Sequence, residues 1–399
     1  MIQNASPRIL FLVNVDRFFL SHRLPIARAA REKGAEVWVA ASPTGQEGKI
    51  TGEGFHFVPV PFQRGVGNLG QEVRTLRAIL RAFQEIKPDL VHNVTAKPVL
   101  YSSLVSRFFF RELAVVNAIS GLGYVFISSR IGTRLLRSGL LLPYRAALRR
   151  ERARVIFQNP DDMESFIELN LVRRSSAVLI KGSGVDIEVF RESHEPNGIP
   201  LVMLASRLLT DKGVLEFVAA ARLLRNWNVK CRLVLVGEPD PGNPATLSPA
   251  QLSSWVDEGV VDWWGPQSNM QEVLPLASIV VLPSYREGLP KVLLEAAAVG
   301  RPIVTTNVPG CREVVRDGHN GFIVPPRNHV RLAQAIRCLV ENPQLRLRMG
   351  KNGRTMVVDE FRAELVVSST LAIYNELLGS RFPGLFAPPQ SNNPDIQNN

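Results

Sequence analysis

Hydrophobic positions along the chain alternate between short apolar runs and longer stretches with helical spacing. "ILFLVN" (9–14), "EVWVAAS" (36–42), "FHFVPV" (55–60), "DLVHN" (89–93), "LAVVNAIS" (113–120) and "RVIFQN" (154–159) read as strands. Between them, "RLPIARAAREKG" (23–34) reads as a helix ending on Gly34, and "EVRTLRAILRAFQEI" (72–86) as one stopped by Pro88. Strands alternating with helices predict a parallel sheet covered on both faces.

The rhythm breaks at 186–200, "DIEVFRESHEPNGIP", a polar stretch with Pro196, Gly198 and Pro200 that reads as a linker. It then restarts. "LVMLAS" (201–206), "CRLVLVG" (231–237), "GVVDWWG" (259–265), "SIVVLPS" (278–284) and "PIVTT" (302–306) read as strands, with a helix at "GVLEFVAAARLL" (213–224). The prediction is α/β: two doubly wound parallel-sheet domains in tandem, 1–185 and 201–365. A helix over 366–381 is expected to return to the first domain. The Pro- and Asn-rich tail 382–399 is expected to be disordered. Open parallel sheets bind ligands beyond the carboxyl ends of their strands, so the cleft between two facing sheets is the expected site.

Composition narrows the class. The chain has 399 residues, 45% hydrophobic and 21% charged, which suits two globular domains and excludes a disordered chain. The net charge of +11 points to an anionic partner. Residues 130–154 concentrate that excess, with eight arginines against one acid, Glu151. Leucines alternate there with Arg134, Arg137, Arg145 and Arg149, as in an interfacial helix pair on an anionic membrane face. Nucleic acid fits less well, because aromatic interleaving is poor. A solvated helix face remains the bland alternative.

The three cysteines suit neither a disulfide framework nor a metal site, and a reducing, cytoplasmic compartment is expected. The N-terminus lacks a signal peptide's long apolar region, and no run of 18 uncharged apolar residues predicts a transmembrane helix.

The chemistry concentrates in "SYREGLPKVLLEAAAVGRP" (284–302), where Glu287 and Glu295 stand eight positions apart. Pro290 suits the first turn of a helix that runs to Gly300. The free N–H groups of 288–291 then form an anion site suited to a diphosphate. Glu287 sits before that site and Glu295 about one turn further in, so they are not a close acid/base pair. Carboxylates accept hydrogen bonds from hydroxyls. A diphosphate flanked by two polyols, as in a nucleotide sugar, would use both; the alternative is an N-cap and a surface acid. In "ASRLLTDKGV" (205–214), Arg207 and Lys212 bracket a tight loop and could clamp the diphosphate, or simply belong to a solvated turn. No D-x-D motif occurs, so neither a metal nor any other cofactor is expected. Neither domain opens with G-x-G-x-x-G, which disfavours a dinucleotide-dependent dehydrogenase.

"SRLLTDKGVLEF", "LVGEPD", "WWGPQSNM" and the stretch from "LPSYREGLP" to "NGFIVPP" resemble the donor-binding domain of the family 4 glycosyltransferases, over most of 200–330. That resemblance implies a GT-B fold, two Rossmann-like domains facing across a cleft, and a retaining reaction. It implies contacts from Glu287, Gly288, Leu289 and Pro290 to sugar and phosphate, and from Glu295 to ribose. Arg207 and Lys212 match the family's diphosphate clamp.

In the first domain, "FFLSHRLPIARAAREKGAEVWVA", "KPDLVHNVTAKP", "NAISGLGYVF" and "VIFQNPDD" are similar to bacterial enzymes that extend undecaprenyl-diphosphate-linked oligosaccharides. The implied partners are a nucleotide diphosphate sugar, UDP-linked, a polyprenyl-diphosphate-linked glycan, and the inner face of the plasma membrane.

The chain departs from the wider family twice. "NVDRFFLSH" replaces a glycine pair, and Ser120 and Gly121 stand where many members carry a histidine. That puts a general base in doubt and suits a front-face reaction in which the donor phosphate takes the acceptor proton. His22 and His92, near strand ends, could face the cleft or be structural. A nucleotide-sugar epimerase and a non-catalytic nucleotide-sugar binder are the competing functions.

Overall fold

The computed structural model describes residues 6–63, 65, 67–120 and 141–387. Seven parallel strands build the first sheet: β1 (Arg8–Val15), β2 (Glu36–Ser42), β3 (His56–Pro59), β4 (Leu90–Val94), β5 (Ala114–Ile119), β6 (Ala153–Phe157) and β7 (Ala177–Leu179), in the order β3-β2-β1-β4-β5-β6-β7. Six build the second: β8 (Leu201–Ala205), β9 (Arg232–Val236), β10 (Asp262–Trp263), β11 (Ile279–Leu282), β12 (Ile303–Thr306) and β13 (Gly321–Val324), in the order β10-β9-β8-β11-β12-β13. The central strands are apolar throughout because helices cover both faces; Ile9 to Val13 and Ile279 to Val281 are all completely buried.

In each sheet the chain starts at a central strand, winds outward, and then crosses back to the other side. β1 pairs with β2 and β4, and β8 with β9 and β11. The loops after these strands diverge and leave a crevice at the carboxyl edge.

The differences from expectation sit at sheet edges and helix starts. β7 and β13 were not predicted, and "GVVDWWG" yields only the two-residue β10. All three are edge strands, where a single partner supports only a short ladder and the apolar pattern is weak. "DRFFLSH" forms a helix of its own, Asp16–His22, before the helix Leu24–Glu32. The segment 186–200 is irregular but strapped to the second domain. The guanidinium of Arg301, 2% exposed, donates to the carbonyls of Ser193, His194 and Pro275, each at 2.9 Å.

The last helix, Ala363–Leu378, packs on Leu24–Glu32 of the first domain. Tyr374 lies fully buried with its hydroxyl 2.6 Å from His92 Nδ1, and Arg154 pairs with Glu376. Residues 382–387 are not the disordered start of a tail: Phe386 is 2% exposed and packs edge-on against Tyr374. The rest of the expected tail, 388–399, lies outside the described residues.

His92 Nε2 has no partner, so the Tyr374 hydroxyl is the imidazole's one hydrogen-bonding contact among the described residues. Tyr374→Phe leaves a buried imidazole unsatisfied at both nitrogens, which should lower stability by about 1–3 kcal/mol. Urea denaturation would read this as a lower midpoint with an unchanged slope.

Candidate active site

The crevice at the carboxyl ends of β8 and β11 holds the acids and cations singled out from the sequence. β8 runs into the turn 206–212, and β11 into 283–290. Gly213 joins the two. Its φ is +72°, and a Cβ there would lie 2.1 Å from the carbonyl oxygen of Pro283, so only glycine allows this approach. The Tyr285 N–H donates to Asp211 O at 2.9 Å and stitches the loops further.

This contact places Lys212 against Glu287, with Nζ 2.5 Å from Oε1. The Ser284 hydroxyl donates to the same oxygen at 2.7 Å. Both charged side chains are largely withdrawn from water, with 18% and 11% exposed. Arg207 has a separate partner, Asp240, at 2.6 Å, and stays more than half exposed. The two cations are therefore each held by an acid, and Glu287 itself has a cation and the Ser284 hydroxyl beside it. Ser284 and Asp240 were missed by the sequence reading, because nothing in their spacing sets them apart from loop residues.

The helix after β11 begins at Lys291, one residue later than expected. Pro290 is its N-cap, in extended conformation, rather than part of its first turn. Leu289 is buried at the loop's end. Glu295 is 7% exposed and pairs with Lys291 at 3.1 Å. Burial pushes its carboxyl above the ordinary range, and the Lys291 ammonium partly offsets this.

Lys291 also donates to the carbonyl of Ser21 at 3.2 Å, reaching across to the first domain. His22 follows at this edge, stacked on Phe18 with Nδ1 2.7 Å from the Ser21 hydroxyl. Burial, then Arg23 and Lys291, lowers its pKa to about 3, so it is a neutral, weakly basic imidazole. His92 does not face the cleft. It is 1% exposed, stacked on Phe11 and tied to Tyr374, and burial holds it neutral. The Ser120 carbonyl lies against the loop that carries Glu287, close to Gly288. Gly121 lies outside the described residues.

Away from the cleft, Arg145 and Arg149 line a pocket of 450 Å³ with Arg107, Arg173, Leu142 and Ala146. Leu142, Phe108 and Phe109 are exposed at 74%, 66% and 66%. Arg134 and Arg137 lie outside the described residues. Among those residues, no helix is long and apolar enough to cross a membrane.

Two Rossmann-like parallel sheets, with acids and cations gathered at the edge of the second, make up the GT-B architecture. Residues 8–159 match the family model of glycosyl transferase 4-like proteins, and 186–356 that of glycosyl transferases group 1. The chain belongs to these glycosyltransferases.

It is 26% identical to an N,N'-diacetylbacillosaminyl-diphospho-undecaprenol alpha-1,3-N-acetylgalactosaminyltransferase of Campylobacter jejuni, over 93% of this chain and 99% of that one. It is 21% identical to the capsular polysaccharide biosynthesis glycosyltransferase CapM of Staphylococcus aureus, over 94% and 98%. Among solved structures, Anabaena HepE in complex with UDP and glucose shares the fold at a TM-score of 0.74 and 19% identity, covering 92% of this chain and 99% of that one. Sucrose-phosphate synthase of Thermosynechococcus elongatus does so at 0.76 and 20%, covering 94% and 100%.

The folded protein holds the Glu295 proton more tightly than the unfolded chain does, so ionising Glu295 costs stability as pH rises through its folded value. Glu295→Gln removes that cost. Its unfolding temperature should exceed the parent's at pH 8, and the gap should close as pH falls below the carboxylate range.

Proposed function

We propose that this chain is a retaining transferase that moves a hexose or N-acetylhexosamine from a UDP-linked sugar to a polyprenyl-diphosphate-linked glycan in bacterial surface polysaccharide or glycan synthesis. The observation that carries the reading is the partly buried Lys212–Glu287–Ser284 cluster at the carboxyl edge of the second sheet. On donor binding, Lys212 and Arg207 turn toward the diphosphate and neutralise the charge that grows on the leaving group, a task assigned to them rather than to a metal. Glu287, with the backbone of Gly288, Leu289 and Pro290, holds the transferred sugar. Glu295 receives the ribose hydroxyls.

The C1–O bond to the diphosphate breaks and the acceptor oxygen bonds C1 from the same face. The acceptor proton passes to the departing phosphate oxygen. This route asks nothing of His92, which is sealed in the core, or of His22, whose basicity is suppressed. Ser120 is assigned to the acceptor side, as Gly121 was from the sequence.

A panel of nucleotide sugars with an undecaprenyl-diphosphate glycan, read by mass spectrometry, tests the reading. Product should form with a UDP-sugar and survive EDTA. Consumption of donor without acceptor would favour an epimerase, and binding without any product a non-catalytic protein. Lys212→Ala and Glu287→Ala should each reduce transfer by about 10²-fold or more, with the fold unchanged by circular dichroism. Full turnover by folded Lys212→Ala would overturn the assignment.

A lipid-linked acceptor would put the enzyme on the cytoplasmic face of the inner membrane. Exposed Phe108, Phe109 and Leu142 beside Arg145 and Arg149 supply apolar and cationic contacts for that surface, to which Arg134 and Arg137 would add. Each basic residue near an anionic surface contributes about 1 kcal/mol. The protein should sediment with vesicles containing phosphatidylglycerol but not with pure phosphatidylcholine. Arg145→Glu with Arg149→Glu should weaken that binding by about tenfold or more.

A further inference from the structure

The first domain reaches across the cleft and grips the loop that carries Glu287. A Cβ on Gly288 would lie 2.4 Å from the Ser120 carbonyl oxygen and 2.8 Å from Gln158 Oε1. Asn159, fully buried, donates from Nδ2 to Gly288 O at 2.7 Å. Its Oδ1 meanwhile accepts the Asp162 N–H at 2.8 Å and caps the helix Pro160–Glu168. The Asp162 carboxylate, 1% exposed, receives Arg286, the residue before Glu287. From the other side, a Cβ on Gly310 would lie 2.5 Å from Gly288 O. The donor loop is thus held between its own domain and the start of a helix in the other.

A peptide unit is planar, with its C=O and N–H pointing opposite ways. Holding Gly288 O toward Asn159 therefore fixes the direction of the Leu289 N–H and the frame from which Glu287 projects. We infer that Asn159 is a positioning residue for sugar transfer, which orients the donor loop when the first domain docks against it and so makes donor activation conditional on domain closure. The inference rests on the transferase reading above. Only an amide can do both jobs, capping through its oxygen and gripping through its nitrogen. Serine and threonine keep the cap but lose the grip, whereas aspartate would set a second buried carboxylate against Asp162, to which the Asn159 Nδ2 also donates at 3.2 Å.

Asn159→Ser and Asn159→Thr test this through sugar transfer, UDP binding by calorimetry, thermal unfolding, and amide exchange of a peptide spanning 284–292. Both variants should unfold within about 3 °C of the parent, because the cap survives. In both, kcat should fall about tenfold or more while UDP affinity changes less than about threefold. Amide exchange over 284–292 should speed up in both, with the rest of the chain unaffected. A kcat within about twofold of the parent, or a loss of UDP affinity matching the loss of kcat, would overturn the inference. So would unchanged exchange over 284–292. A parent enzyme that transfers no sugar from any donor overturns the transferase reading instead, and the exchange measurement still decides whether Asn159 holds the loop.

Discussion

Every strand in both sheets runs parallel to its neighbours, and the rest of the architecture follows from that constraint. Parallel pairing forces each connection to cross back over a sheet face, so the loops that follow the strands all gather at one edge. The order reverses at β1 in one sheet and at β8 in the other, which opens a gap at each edge. The chain fills these gaps with its polar, least regular segments. Lys212, Ser284 and Glu287 meet because the two loops beside the second gap are bound to approach, and Gly213 carries no Cβ to keep them apart.

Electrostatics then shapes what the gap holds. In the free protein the cations already have acids beside them, Lys212 with Glu287 and Arg207 with Asp240. A partly buried ammonium without a counter-charge would be costly, and the carboxylate supplies that charge. Under the proposed function, an incoming diphosphate would compete for Lys212 and release Glu287 to meet hydroxyls, so that binding would be an exchange of partners. Glu295 is the exception, an acid whose burial disfavours its own ionised form despite Lys291.

Much of the second domain was legible in the sequence because its signals are local. Buried runs such as "SIVVLPS" announce strands, and Gly-Leu-Pro before an apolar helical stretch announces a helix start, placed within one residue. The pairing of Lys212 with Glu287 was not legible, since 75 residues separate them and the contact exists only through the fold. The same holds for Asn159 and Gly288, 129 residues apart. "FQNPDD" shows an N-cap and an acidic first turn, but not that the cap also faces another domain. His92 stayed open for a related reason. Its position at a strand end suits a cleft residue equally well, and only the return of the final helix, with Tyr374, decides that it is buried. Phe382 and Phe386 were overlooked within a Pro-rich stretch whose composition alone suggested no packing.

That returning helix has a consequence for how the protein is made. The first domain emerges from the ribosome long before the residues that finish its core. Until the chain has been synthesised through Phe386, His92 lacks its phenol, the Arg154 guanidinium lacks Glu376, and the surface that covers Leu24–Glu32 is missing. The second domain, with its own strapped linker, can fold in the meantime. The domain translated first is therefore completed last, and a truncated chain would carry an intact second domain beside an unfinished first one with apolar surface open to aggregation.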